Sequence, residues 1–473
     1  MSKPFAAIPA LAAVAFSLLA CSPRWGVKEI VSSTIDNPWQ VLSPGTASPD
    51  TGAVRIDLCL DSLGQVIEGF GVAFSELSWQ SLWMLPEADR DAVLDELFLP
   101  GKGANLTVNR MPVGANDFSL DWYSYDEEDG DFGMEHFSVA HDQNTLAVLI
   151  QEALRRNPEM KIWASPWCPP SWMKRNHHYA MRPAEVNDLP ESGRGYEGQD
   201  MFIQEDRYLE AYALYFEKYI RAYRDLGIEV GMVMPQNEPN SDQNFPSCCW
   251  TSAGLARFLT HLGPRMKELG VDVYFGTCER PNVALIDSVL THPVAGPFIS
   301  GVGFQWGGRS AVAHVRDRYP DKTLYMTEQE CGNGRNDWSG ALHSWDLMKH
   351  YLSNGVSVYD YWNLSLLENG LSRWGWRQNS LVTVNPETRS YRFTIEYYLL
   401  KHVSHYVSSG ARRIPLPSET DALAFLNPDG RVVLVVANRT DSDRLIDLSL
   451  GTRKRGRPCC VRLPARSFNT LVL

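Results

Sequence analysis

Between Gln65 and about residue 363 the chain repeats one pattern: a short β-rich run, then a longer stretch whose apolar residues recur at helical spacing. A helix after each strand carries the chain back to the end it left, so successive strands lie parallel and need cover on both faces. The strand candidates are Val66–Val72, Leu106–Arg110, Lys161–Ser165, Val230–Met234, Val271–Phe275, Gly301–Phe304, Leu324–Thr327 and Val356–Trp362. Eight such units over roughly 300 residues fit a (β/α)8 barrel with loop insertions, and the fold class is α/β.

Two helices are well marked. One is predicted over Glu87–Phe98, just after Pro86, whose fixed φ suits a helix start. The other runs from Asp206 to Leu226, where Leu209, Tyr212, Tyr215, Phe216, Tyr219, Ile220 and Tyr223 form one apolar stripe before Gly227. That stripe reads as core packing.

After Leu400 the period changes to two. Ala422–Leu426, the turn Asn427-Pro428-Asp429-Gly430 and Val432–Ala437 predict a β-hairpin, with further strands around Val461–Leu463 and Thr470–Val472. The stretch Gly26–Asp61 is also strand-like, so a β-sandwich built from both chain ends is expected beside the barrel. The expected domains are a signal segment at 1–20, an N-terminal segment at 21–64 that lends strands to the sandwich, the barrel at 65–400 and the sandwich proper at 401–473.

Composition removes several function classes. The chain has 473 residues, 44% hydrophobic and 21% charged, which excludes a disordered tail or a small disulfide scaffold. The net charge is -12 and no long basic stripe exists, so nucleic acid is not an expected partner. The short run Arg453-Lys454-Arg455-Gly456-Arg457 reads as a solvated turn. Residues 1–20 carry only Lys3 and an Ala-rich apolar stretch too short for a stable span, which predicts a secretory signal. Leu18-Leu19-Ala20-Cys21 resembles a bacterial lipobox, which implies lipidation at Cys21, export to the cell envelope and membrane contact through that anchor alone.

With Cys21 set aside, an even number of cysteines remains, so disulfides are possible with no pairing assigned. Neither Cys248-Cys249 nor Cys459-Cys460 has metal-site spacing, and His177-His178 would point apart. No metal and no cofactor are expected.

In a barrel of this kind the βα loops converge at the C-terminal ends of the strands, so chemistry is sought there. The fourth strand leads into Gln236-Asn237-Glu238-Pro239, and the seventh into Thr327-Glu328-Gln329-Glu330. Two carboxyls at one mouth suit glycosidic cleavage, where one protonates the leaving oxygen and the other meets the sugar carbon directly or through water. A gap of roughly 5 to 5.5 Å selects a nucleophile and retention, while roughly 6.5 to 9.5 Å selects water and inversion. The acidic run Asp126-Glu127-Glu128-Asp129 reads as a solvated loop.

Several ordered blocks then carry a resemblance. Gly69-Phe70-Gly71-Val72-Ala73-Phe74, Arg110-Met111-Pro112-Val113-Gly114-Ala115-Asn116-Asp117, Ala164-Ser165-Pro166-Trp167-Cys168-Pro169-Pro170 and Tyr359-Asp360-Tyr361-Trp362-Asn363, followed by Ser372-Arg373-Trp374-Gly375-Trp376, resemble glycoside hydrolase family 30. This is the family of lysosomal glucosylceramidase, β-1,6-glucanases and related β-xylosidases and xylanases. The resemblance runs from about Ile67 to the C-terminus. It implies that Glu238 is the general acid/base and Glu328 the nucleophile, with Arg110 holding Glu328 ionised. Glu330 is the rival nucleophile by proximity. The resemblance also implies that Asn237 meets the sugar 2-hydroxyl and that Asp117 and Trp167 bind the ring, with Gln305, Trp306, Trp362, Asn363, Trp374 and Trp376 lining the site.

The chain departs from the family pattern after the sixth strand, where Gln305-Trp306-Gly307 stands in place of a His-Trp-Tyr run, so the Tyr that contacts the nucleophile is missing. The second Gly of the first block is Val72. The activity implied is a retaining β-glycosidase acting on β-linked glucosides or glucan. A β-xylosidase, xylanase or β-fucosidase of the same family is the alternative, and a glycan-binding lipoprotein on a lapsed fold is the non-enzyme rival.

Overall fold

The computed structural model describes residues 26–43, 52–451 and 459–473. Cys21 with its signal segment, and the run 453–457, lie outside the described residues.

All eight strands form and close into a parallel barrel. They are β1 (Gly69–Ala73), β2 (Val108–Pro112), β3 (Lys161–Ser165), β4 (Val230–Val233), β5 (Asp272–Cys278), β6 (Ile299–Gln305), β7 (Thr323–Glu328) and β8 (Val358–Asn363). β1 pairs with both β2 and β8, which completes the ring. Gly71 explains the first sequence block: a Cβ there would lie 1.4 Å from the Val108 carbonyl oxygen and 2.4 Å from Asp360 Oδ1, so only glycine lets β1 approach its neighbours. The predicted helices form at Glu87–Phe98 and Asp206–Asp225, and the tyrosine stripe of the second is buried against the barrel.

The predicted first strand starts too early. Ile67 exchanges backbone hydrogen bonds with Ala411 and Gly410, and Val66 bridges Arg412. Those residues therefore lead out of the sandwich before the barrel begins.

The sandwich draws on both chain ends. Its larger sheet orders the strands Arg412–Ile414, Ala422–Leu426, Val432–Asn438, Ser467–Val472, Glu29–Ser33 and Gln40–Leu42. Its smaller sheet holds Cys459–Leu463, Arg444–Leu450 and Val54–Leu58. The hairpin pairs Leu426 with Val432, as its turn residues predict. Every residue of Val432–Asn438 is buried because the strand has cover on both faces. Leu434 and Val436 join Ile30, Ile56 and Ile446 in the sandwich core, while Val433 and Val435 belong to the barrel's own core. At the same junction His402 lies between the hydroxyls of Thr470 (2.8 Å) and Ser33 (2.9 Å).

A third sheet, of Ser365–Leu367, Val382–Asn385 and Ser390–Phe393, was not anticipated from the sequence. Of the acidic run, Glu127, Glu128 and Asp129 are exposed, as a solvated loop requires, and one member departs from that pattern. Asp126 is buried, and Glu127 accepts from the Ser171 backbone N–H and hydroxyl, tying the loop after β2 to the loop after β3. Cys59, Cys168, Cys248, Cys249, Cys278, Cys331, Cys459 and Cys460 carry free thiols. Among the described residues no helix is long and apolar enough to cross a membrane.

Candidate active site

Arg110, the middle residue of β2, organises the mouth of the barrel. Its guanidinium is fully buried, with Trp167, Trp163 and Trp362 ring centroids 4.3, 5.0 and 5.4 Å away. Taking a cation out of water is costly unless it is paired and hydrogen-bonded. Arg110 meets both conditions: Nη1 donates to Glu328 Oε2 at 2.5 Å, and Nη2 donates to Asn237 Oδ1 at 2.6 Å and to Ser165 Oγ at 3.0 Å. Residues from the ends of β3, β4 and β7 thus share one cation from β2.

Glu328 reaches this point where the register between β6 and β7 slips, between Met326 and Glu328, an irregularity that re-aims a side chain at a strand end. Its Oε2 also accepts from Gln305 Nε2 at 2.8 Å. Its Oε1 accepts from no group among the described residues and stays open to the cleft. Glu238 sits in the left-handed region at φ 48, a strained conformation for a non-glycine residue and one that tends to occur at functional sites. The strain is held by its N–H donating to Thr277 O at 3.1 Å and its carbonyl accepting from Ser241 N–H at 3.1 Å. Both carboxyl residues are 7% exposed.

Two buried carboxyls of like charge cannot both ionise cheaply, so their partners decide which one does. Burial, and then the charge of Glu328, pushes Glu238 up to about 8. Burial also raises Glu328, but Arg110 pulls it back while the charge of Asp117 pushes it up. The Glu238 carboxyl accepts from Gln243 Nε2 at 3.4 Å and meets the Ser241 side chain, and no cation among the described residues pairs with it. The first negative charge therefore settles on Glu328, between Arg110 and Gln305, and Glu238 keeps its proton.

The remaining residues fall into two groups. Asn237 Oδ1 accepts from Arg110 Nη2 and Thr277 Oγ1, with Gln305 Nε2 2.7 Å away, which leaves its Nδ2 for the cleft. Asp117 is buried with Oδ1 unpartnered, and burial, then the charge of Glu238, raises its carboxyl. Trp167 and Trp362 stack at 5.4 Å, and the Trp362 indole N–H has no partner. Gln305 is turned onto Glu328. Asn363 donates to Gln378 Oε1 at 2.8 Å and Asn379 O at 3.2 Å, so its amide nitrogen fastens a loop. Trp306 is half-buried beside Gln305. Trp374 is buried against Trp122 at 6.0 Å, and Trp376 meets Phe245 edge-on at 4.9 Å. Glu330 pairs with His343 at 2.9 Å, on the helix Trp338–Ser353, and is not part of the Arg110 network.

Sequence reasoning missed Thr277, Ser165 and the Trp122–Tyr179 stack at 5.6 Å, which lines the loops after β2 and β3. The one sequence signal for Thr277 is its place next to the last residue of β5, at the end where chemistry is sought.

Comparison with known proteins gives the family of the fold. Residues 67–407 match the glycosyl hydrolase family 30 TIM-barrel domain and residues 410–471 the glycosyl hydrolase family 30 beta sandwich domain. Lysosomal acid glucosylceramidase of Mus musculus is 26% identical over 414 residues, covering 81% of this chain and 77% of that protein. Endo-1,6-beta-D-glucanase BGN16.3 of Trichoderma harzianum is 26% identical over 460 residues, covering 91% and 88% respectively. Among solved structures, SrfJ of Salmonella typhimurium superposes with a TM-score of 0.81 at 25% identity, over 94% of this chain and 99% of that one. The endo-beta1,6-glucanase BT3312 shares the fold with a TM-score of 0.77 at 24% identity, over 94% and 99%. The chain belongs to glycosyl hydrolase family 30 and is a glycoside hydrolase.

Proposed function

We propose that the enzyme is a retaining β-glycosidase acting on β-linked glucose, in a glucan or a terminal glucoside. The observation that carries this reading is the asymmetry between two equally buried carboxyls: Glu328 accepts from Arg110 at 2.5 Å, and Glu238 pairs with no cation among the described residues. In the first step Glu328 Oε1 bonds to the anomeric carbon while Glu238 passes its proton to the departing oxygen, whose bond to that carbon breaks. In the second step the Glu238 carboxylate takes a proton from water, the water oxygen bonds to the anomeric carbon, and Glu328 leaves as a carboxylate.

The buried, unpartnered Asp117 Oδ1 and Trp362 Nε1 fit sugar hydroxyls, and the Asn237 amide nitrogen fits the 2-hydroxyl. The relatives named for glucosylceramide and β-1,6-glucan support glucose as the sugar. Incubation with aryl β-glucosides, aryl β-xylosides and β-glucans, with NMR observation of the first-formed anomer, tests the reading. A first product of β configuration is expected from glucosides, whereas α product or exclusive cleavage of xylosides rejects the assignment.

We further propose that Cys21 carries lipid and anchors the exported enzyme to the cell envelope. Labelled fatty acid is expected on the wild-type protein and absent after Cys21→Ser.

A further inference from the structure

Gln305 occupies a position that neither substrate binding nor acid–base chemistry explains. It is fully buried at the end of β6, and its Nε2 lies 2.8 Å from Glu328 Oε2, 2.9 Å from Thr277 Oγ1 and 2.7 Å from Asn237 Oδ1. Reversing the amide would set its oxygen against two acceptors, Glu328 Oε2 and Asn237 Oδ1, so the surroundings fix the nitrogen at this end. An amide nitrogen has two hydrogens for the three oxygens around it. Asn237 Oδ1 already takes hydrogens from Arg110 Nη2 and from Thr277 Oγ1 at 2.8 Å, so the two Gln305 hydrogens go to Thr277 and Glu328.

The result is a closed circuit with one permitted direction for each hydrogen. Gln305 donates to Glu328 and Thr277, Thr277 donates to Asn237, and Arg110 donates to Asn237 and Glu328. Both donors to Glu328 use Oε2, which reserves Oε1. The circuit also turns the Asn237 nitrogen outward.

We propose that Gln305 is a positioning residue: it holds Glu328 as an anion with one oxygen reserved for attack, and eases the departure of that carboxylate in the second step. The inference rests on the assignment of Glu328 as nucleophile. An amide donates at every pH and stabilises the carboxylate over the acid. Without it Glu328 should be harder to ionise and a poorer leaving group, so the two halves of the reaction should respond unequally.

The test uses Gln305→Met, similar in length and without donors, and Gln305→Glu, similar in shape and acidic. With dinitrophenyl β-glucoside, Gln305→Met is expected to move the acidic limb of kcat/KM upward by about one pH unit, because a hydrogen bond to a charged group is lost. It should lower kcat about tenfold with a parallel fall in KM, and let the glycosyl-enzyme accumulate to a level visible by intact-mass spectrometry. Gln305→Glu should move the same limb further in the same direction. Wild-type turnover with retention is the control: without it the functional reading itself falls, and this proposal with it. With the control intact, an unmoved acidic limb in both variants, or kcat and kcat/KM falling together with no accumulated intermediate, overturns the role of Gln305 alone.

Discussion

Arg110 Nη1 lies 2.5 Å from Glu328 Oε2 with the arginine side chain wholly out of water, so the guanidinium has no solvent to fall back on and the carboxylate only the narrow opening of the cleft. Removing one member of such a pair strands the other, at a cost of about 3–5 kcal/mol. Arg110→Met should therefore lower the unfolding free energy by about that amount as well as abolish turnover. Adding Glu328→Gln to it should restore part of the stability and none of the activity. Denaturant melts of the two single variants and the double variant decide the matter, and strictly additive losses would contradict the pairing.

Glu238, pushed up to about 8, must be protonated for the first step. Activity should fall as pH rises through that value, because a raised carboxyl pKa keeps the proton until higher pH and then releases it. Glu238→Gln should lose about 10²–10⁴-fold on poor leaving groups. It should lose much less on dinitrophenyl glucosides, lack the alkaline limb, and be partly rescued by azide. An alkaline limb that persists in the variant would assign the proton elsewhere.

A 2-deoxy-2-fluoro β-glucoside with an activated leaving group should inactivate the enzyme and leave a stable glycosyl adduct. Peptide mapping is expected to find the adduct on Glu328. Recovery of the label on Glu330, which pairs with His343 in the structure, would reverse the choice between the two.

His402 makes stability depend on pH. Burial, then the charge of Lys401, drives its imidazole down to about 3, against an ordinary 6.5. Between those values the unfolded chain binds a proton that the folded chain refuses, so stability is fully present above 6.5 and falls as pH drops toward 3. The slope from this residue is at most about 1.4 kcal/mol per pH unit. His402→Gln should flatten the acidic side of the stability profile, and urea midpoints measured across the window would show an unchanged slope if His402 were not responsible.

Lys174 is buried, and its ammonium donates to the carbonyls of Ser247 at 2.7 Å, Tyr179 at 2.9 Å and Ala180 at 3.4 Å. It clamps the insertion after β3. Lys174→Met leaves the Ser247 carbonyl without its donor, while Tyr179 and Ala180 keep those from Ser247 N–H and Asn176 Nδ2, and should cost about 1–3 kcal/mol, with new proteolytic sites between residues 175 and 204. A digestion pattern identical to wild type would deny the clamp.

The barrel was legible because each strand is a short apolar run between helices of period 3.6, a local signal that closure of the barrel does not disturb. Glu238 and Glu328 were legible because they stand at strand ends in recognisable blocks. Thr277 was not, since its value comes from facing Asn237, and residues 40 positions apart declare no such contact in one dimension. Asp126 was hidden for a similar reason: it is the one buried member of an otherwise exposed acidic run, and only the folded loop shows which member turns inward. Ser365–Leu367, too short for a readable period, pairs in parallel with Val382–Asn385 across an irregular stretch and gave no signal at all.

Glu29–Ser33 pairs in register with Ser467–Val472, so the earlier strand cannot complete its sheet until residue 472 has left the ribosome. Until then that strand has an open edge, and the joining event carries a large loop-closure entropy. Assembly of the smaller domain should consequently be the slow, late stage, with barrel packing already in place as the template on which both termini are gathered.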